Sequence, residues 1–273
     1  MDHTAPHKLT IGVLDSGFGG LTVLAELLQV LPEACYIYFG DNARAPYGDR
    51  SVPDLQKIAE EDVRLLQQYH IDILVVACNT LSACCLDQLG ACFRGPVVGT
   101  ILPAVRRAAR ENAASIGIIG TTATVRSNLY PEALLRLQPG ADIRSLACPA
   151  LAPMVEAGDF EGPHAEQLVR EALQPWRVRA PELVILGCTH YPILQNAIQT
   201  ALPDSRLLDP ARAVAEETAV HAAVLLTPGS RGSVQLLTSA DSTAFRTIAA
   251  RILGVPESAL SVQHVQTKEP PRT

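Results

Sequence analysis

The chain has 273 residues, 48% hydrophobic and 18% charged, a balance that supports a sizeable core in one large or two medium units. A net charge of -6 argues against an electrostatic surface for nucleic acid. The polar start "MDHTAPHKLT" reads as neither signal peptide nor anchor, and no apolar run nears the roughly 20 residues of a spanning helix. A cytoplasmic location is expected, with no contact to membrane or nucleic acid.

In chain order, strands are expected at 9–14, 35–39, 71–77, 96–99, 115–120, 142–147, 182–187, 206–209 and 233–239. Amphipathic helical stretches fall between them, at 51–69, 102–111, 163–176 and 210–226. The strand segments are Val, Ile and Leu runs without polar alternation, which fits strands covered on both faces by helices. Alternation of strand and helix then implies parallel sheets joined by right-handed crossovers. The expected class is α/β.

The pattern repeats. "IGVLDSGFGG" (11–20) and "IGIIGTTATV" (116–125) are each an apolar strand followed by a small polar loop. Each is followed, at nearly equal spacing, by an apolar run that ends in one cysteine: "ILVVACNTLS" (73–82) and "ELVILGCTHYP" (182–192). Two similar α/β halves are expected. In such sheets ligands sit beyond the carboxyl ends of the strands, so a cleft between the halves would carry Cys78 on one wall and Cys188 on the other.

Seven cysteines without CxxC spacing or a neighbouring histidine motif suggest neither a disulfide framework nor a structural zinc. Cys35, Cys84, Cys85 and Cys92 read as core filler, and Cys148 as buried packing. Two thiols facing one another suit the inversion of a carbon that bears hydrogen. One removes the proton as thiolate and the other delivers a proton to the opposite face as thiol. At pH 7 an ordinary thiol is only about 3% ionised, a deficit of roughly 2 kcal/mol. A helix N-terminus and a polar neighbour can supply much of it. A pyridoxal mechanism needs a buried lysine. The three lysines here are Lys8 near the start, Lys57 on a polar helix face and Lys268 in the tail. No cofactor and no metal are expected.

These residues carry a resemblance. "DSGFGGLTV" (15–23), "GDNARAPYG" (40–48), "ACNTLSA" (77–83), "GTTATVRSNLY" (120–130), "CPALAPMVEAG" (148–158) and "GCTHYP" (187–192) together resemble the cofactor-independent glutamate racemases of the aspartate/glutamate racemase superfamily. The resemblance implies that Cys78 and Cys188 are the acid/base thiols. Asp15, Ser16, Tyr47, Gly48, Asn79, Thr80, Thr121, Thr124, Thr189 and His190 become substrate-binding positions. Asp15, His190 and Glu156 would assist proton transfer. It further implies glutamate as substrate, D-glutamate for peptidoglycan precursors, and a homodimer. The first half would be 1–98 completed by 210–273, and the second 99–209.

Each position also has a plainer use. Asp15, Asn79, Thr80 and Thr189 could cap helices, Thr121 and Thr124 could belong to a turn, and Tyr47-Gly48 after Pro46 reads as a turn. Arg44 reads as a solvated loop arginine. The glycines after Asp15 allow close backbone approach to a ligand. Competing functions are an aspartate racemase, a thiol hydrolase using Cys188 and His190, and a non-catalytic amino-acid-binding protein.

Overall fold

Strand Thr10–Asp15 (β1) is the pivot of a parallel sheet, bonded to Cys35–Gly40 (β2) on one side and to Ile73–Val76 (β3) on the other. The computed structural model describes residues 8–226 and 232–267. The remaining strands are Val97–Gly99 (β4), Ser115–Gly120 (β5), Asp142–Ala147 (β6), Leu183–Gly187 (β7), Arg206–Leu208 (β8), Ser233–Thr238 (β9) and Val262–His264 (β10). They form two sheets, ordered β10-β9-β2-β1-β3-β4 and β6-β5-β7-β8. Every pairing is parallel.

The second sheet repeats the order β2-β1-β3-β4 as β6-β5-β7-β8, so β1 corresponds to β5 and β3 to β7. In each sheet the strand order reverses beside that first strand, which opens a crevice at the carboxyl ends. Register fixes what lines it. Leu14 pairs with Val76, so Ser16 and Cys78 leave their strands level with one another. Gly120 pairs with Gly187, which brings Thr121 level with Cys188.

Both faces of each sheet are covered. Over the first sheet, one core includes Leu21, Leu24 and Leu27 from helix Leu21–Val30 and Val214 and Ala215 from helix Ala211–Ala222. The other face takes Leu55, Ile58, Val63 and Leu66 of helix Val52–Gln67. Side chains of this size contribute about 1.5–3 kcal/mol each when fully buried. That helix starts on Ser51, whose hydroxyl accepts from the Asp54 amide, with Pro53 in the first turn. Asp62 lies on its buried face, a charged residue in an apolar stripe.

The expected strands agree with those observed to within two residues, apart from β10. That strand is a short, largely exposed edge with little apolar content to mark it. The stretch 163–176 divides into helix Pro163–Ala172 and the turn Gln174–Trp176, because Pro175 cannot continue a helix.

Candidate active site

A cavity between the two sheets is walled by Ser16, Tyr47, Gly48, Cys78, Asn79 and Thr80 from one side and by Thr121, Thr122, Glu156, Cys188, Thr189 and His190 from the other. Cys78 follows β3 and caps helix Asn79–Cys84, and Cys188 follows β7. Thr121 follows β5 and caps helix Thr122–Arg126, its hydroxyl accepting from the Thr124 amide. Thr80 Oγ1 and Thr121 Oγ1 meet 2.9 Å apart, a direct bond between the walls.

The two thiols have different surroundings. Cys78 is 4% exposed, and its Sγ donates to Ser16 Oγ at 3.8 Å. Burial, with Asp15 adding repulsion, pushes this thiol well up despite the opposing Leu81 amide. Cys188 is 5% exposed and lies 3.5 Å from His190 Nδ1. His190 Nε2 is 2.5 Å from Glu156 Oε1. Burial alone would lower the His190 pKa, but the bonds to Cys188 and Glu156 outweigh it and hold the ring well above the ordinary histidine range. The second wall therefore sets its thiol beside an imidazole held toward its protonated form, while burial keeps the thiol of the first wall protonated.

Asp15 and Thr124 stand one layer behind the cavity wall. Asp15 is wholly buried, accepting from the Gly17 amide at 3.0 Å and from Thr189 Oγ1 at 3.2 Å. Burial raises its pKa, opposed by His190 and the Gly20 and Gly17 amides. It does not cap helix Leu21–Val30, whose N-cap is Gly20 with no side-chain bond. Thr124 Oγ1 bonds Thr121 Oγ1 at 3.0 Å and so orients a residue that does line the cavity. Ser16, Asn79, Thr80, Thr121, Thr189 and His190 all reach it directly.

The glycines after Asp15 accommodate protein groups. A Cβ on Gly17 would collide with the Glu156 carboxylate, and one on Gly19 with Thr189 Oγ1. The empty space lets the second wall press onto the first loop, where Glu156 also accepts from the Phe18 amide at 2.8 Å and from Asn42 Nδ2 at 2.9 Å.

Three expectations are corrected. Arg44 is buried, bonding Asp41 at 2.6 Å, Asp62 at 2.5 Å and Glu61 at 2.8 Å. A loop arginine is solvated only when no buried acid faces it, and here two do. Tyr47 is likewise more than a turn residue. Its hydroxyl donates to Asp41 and, at 3.1 Å, to Asp62, while the residue lines the cavity. Among the cysteines, Cys92 is exposed and Cys35 and Cys84 are half-buried, so only Cys85 of the four is core, alongside the buried Cys148. Cys92 ends its helix at the surface, where packing makes no demand on it. Lys8 and Lys57 are exposed and away from the cavity, and Lys268 lies outside the described residues.

Sequence reasoning missed Asp41, Asp62, Thr100 and Tyr130, which hold the walls from behind. Asp62 carried a signal, being an acid at the apolar spacing of its helix. Tyr130 closes the segment 120–130 but nothing there assigns it a role, and Thr100 carried no signal, because the Asn79 side chain that both bond is distant in sequence.

Comparison with known proteins agrees with this geometry. A family model described as Asp/Glu/Hydantoin racemase matches residues 11–218. The curated glutamate racemase of Desulforudis audaxviator is 40% identical over 263 residues, spanning 90% of this chain and 94% of its own. A solved glutamate racemase isoform from Bacillus anthracis superposes with a TM-score of 0.86 at 37% identity, covering 96% of this chain and 98% of its own. One from Francisella tularensis, solved in complex with D-glutamate, gives 0.85 at 30% identity, over 96% and 98%. The matched span includes both thiol-bearing loops, and the chain belongs to the Asp/Glu/hydantoin racemase family, among its glutamate racemases.

Proposed function

We propose that the chain interconverts L- and D-glutamate by two-base proton transfer at the α-carbon. The observation that carries this reading is the unequal pair of thiols on opposite walls, Cys188 backed by His190 and Glu156, and Cys78 backed by Ser16 and Asp15. In one direction the Cys188 thiolate takes the α-proton and the Cys78 thiol delivers its own to the opposite face. In the reverse direction the roles exchange. Ser16, Tyr47, Gly48, Asn79, Thr80, Thr121, Thr189 and His190 bind the amino acid, with Asp15 and Thr124 acting through Thr189 and Thr121. Asp15 and Glu156 assist the transfers from the two sides.

The working units are 1–98 with 210–273, and 99–209. Support comes from the strand order, since β9 and β10 extend the first sheet and β5 to β8 make up the second. No helix among the described residues is long and apolar enough to cross a membrane. A cytoplasmic homodimer supplying D-glutamate for peptidoglycan precursors is the proposed setting. A thiol hydrolase would use the same Cys188–His190–Glu156 line but gives no task to Cys78.

The test is incubation with either glutamate enantiomer in deuterated water without added cofactor. The α-hydrogen should exchange for deuterium as optical activity is lost. A pyridoxal absorbance in active protein, or activity abolished by metal chelation, would contradict the mechanism.

A further inference from the structure

Asn79 is the cavity-lining residue next to Cys78, and its side chain is held from behind by two hydroxyls. Tyr130 Oη donates to Asn79 Oδ1 at 2.7 Å, and Thr100 Oγ1 donates to the same oxygen at 2.9 Å. All three residues are buried, Asn79 to 3% exposure, Tyr130 to 1% and Thr100 to 0%. Neither hydroxyl is free to wander. Thr100 follows β4, and its amide donates to Ser82 Oγ, whose hydroxyl in turn bonds the Val76 carbonyl. Tyr130 comes from helix Leu129–Leu137, which packs in the core of the second sheet.

A carboxamide carries one acceptor oxygen with two lone pairs and one nitrogen with two donors. Here both lone pairs of Oδ1 are occupied from the protein side. Rotating the amide by a half-turn would make both hydroxyls acceptors, take from their buried protons the oxygen to which both now donate, and turn that oxygen toward the cavity. We propose that Tyr130 and Thr100 are positioning residues that lock the Asn79 carboxamide so that it meets the substrate with N–H donors, which makes Asn79 a reader of a substrate carboxylate. The inference rests on the racemase reading and adds to it how one wall recognises an acid over its amide. Because Tyr130 belongs to the second sheet and Asn79 to the first, the lock is complete only while the two halves are together.

The test compares the wild-type protein with Tyr130→Phe, Thr100→Val and the double variant, with Thr100→Ser as the conservative control. Racemisation of glutamate gives kcat and KM, and inhibition by L-glutamine and by L-isoglutamine measures how strongly a carboxylate is preferred over an amide at each end. Losing the lock is expected to raise KM about tenfold or more in the double variant while kcat changes by less than about threefold, the size of one forfeited hydrogen bond. The preference for glutamate over one of the two amides should fall by a similar factor, and Thr100→Ser should keep wild-type values. A drop in kcat at unchanged KM, or an unchanged acid-to-amide preference, would overturn the proposal. Should the double variant fail to fold, Tyr130→Phe, which removes one oxygen, decides on the same two readouts. Wild-type protein inert toward both glutamate enantiomers would instead overturn the racemase reading, and this inference with it.

Discussion

Glu156 Oε1 lies 2.5 Å from His190 Nε2, and the other nitrogen of that ring lies 3.5 Å from Cys188 Sγ. A carboxylate thus acts on a thiol through an imidazole. Glu156→Gln keeps an acceptor for His190 Nε2 but removes the negative charge that helps hold the His190 pKa up, so the ring should titrate closer to its ordinary value of about 6.5. The alkaline limit of kcat should move to lower pH. The sign for stability follows from a raised histidine pKa. The contribution is fully present below the unfolded value, about 6.5, and is lost as pH rises through the higher folded value. Thermal unfolding should therefore separate wild type from Glu156→Gln most near pH 6, with the gap closing in alkali.

Asp15 follows the same sign for a different reason, since burial rather than bonding raises it. Burial raises its pKa, so its contribution to stability is greatest below the unfolded value of about 3.9 and is lost as pH rises through the folded value. Asn at this position keeps an acceptor oxygen for the Gly17 amide and presents its NH2 to Thr189 Oγ1, whose hydroxyl can accept, without the buried charge. Asp15→Asn is expected to unfold at the wild-type temperature or above at pH 7, while turnover falls about 10²-fold or more. Calorimetry with a racemisation assay on the same preparation checks both halves.

The glycine loop gives a steric prediction. In Gly19→Ala the new methyl meets Thr189 Oγ1 and stands 2.8 Å from His190 Nδ1. Overpacking of this kind costs about 1–3 kcal/mol. A displacement of the Cys188 wall by an ångström should lower turnover about 10²-fold. Gly140→Ala, whose Cβ meets nothing within 4 Å, is the control and should leave both stability and rate near wild type.

Arg44→Ala leaves Asp41 and Asp62 buried without their cation. Removing one partner of a buried pair typically costs about 3–5 kcal/mol. Urea unfolding should show a loss of that order, and Arg44→Lys should recover only part of it, since one ammonium cannot match the separate bonds of a guanidinium.

Most of the architecture was legible because it rests on local pattern. β3 and β7 are continuous apolar runs that stop at Cys78 and Cys188, and two such runs at matching spacing announce both the duplication and the cleft. The layer behind the cleft was not legible. Arg44 and Tyr47 read as loop chemistry because their acids, Asp41 and Asp62, converge only when helix Val52–Gln67 packs on the sheet. The clearance at Gly17 and Gly19 reads equally as room for a ligand or for protein, and only the approach of Glu156 and Thr189 decides it. Asn79 announces a cap, whereas its orientation depends on Thr100 and Tyr130, far along the chain.

The central claim is that Cys78 and Cys188 serve opposite faces of one carbon. It is tested most directly with Cys78→Ser and Cys188→Ser and a β-substituted glutamate analogue that loses its leaving group after a single proton abstraction. A serine can still donate a proton but is a far poorer base, so each variant retains one thiol to serve as base. The account predicts that the two variants eliminate from opposite enantiomers, while both lose racemisation. Elimination from the same enantiomer by both variants, or racemisation at the wild-type rate in either, would contradict it.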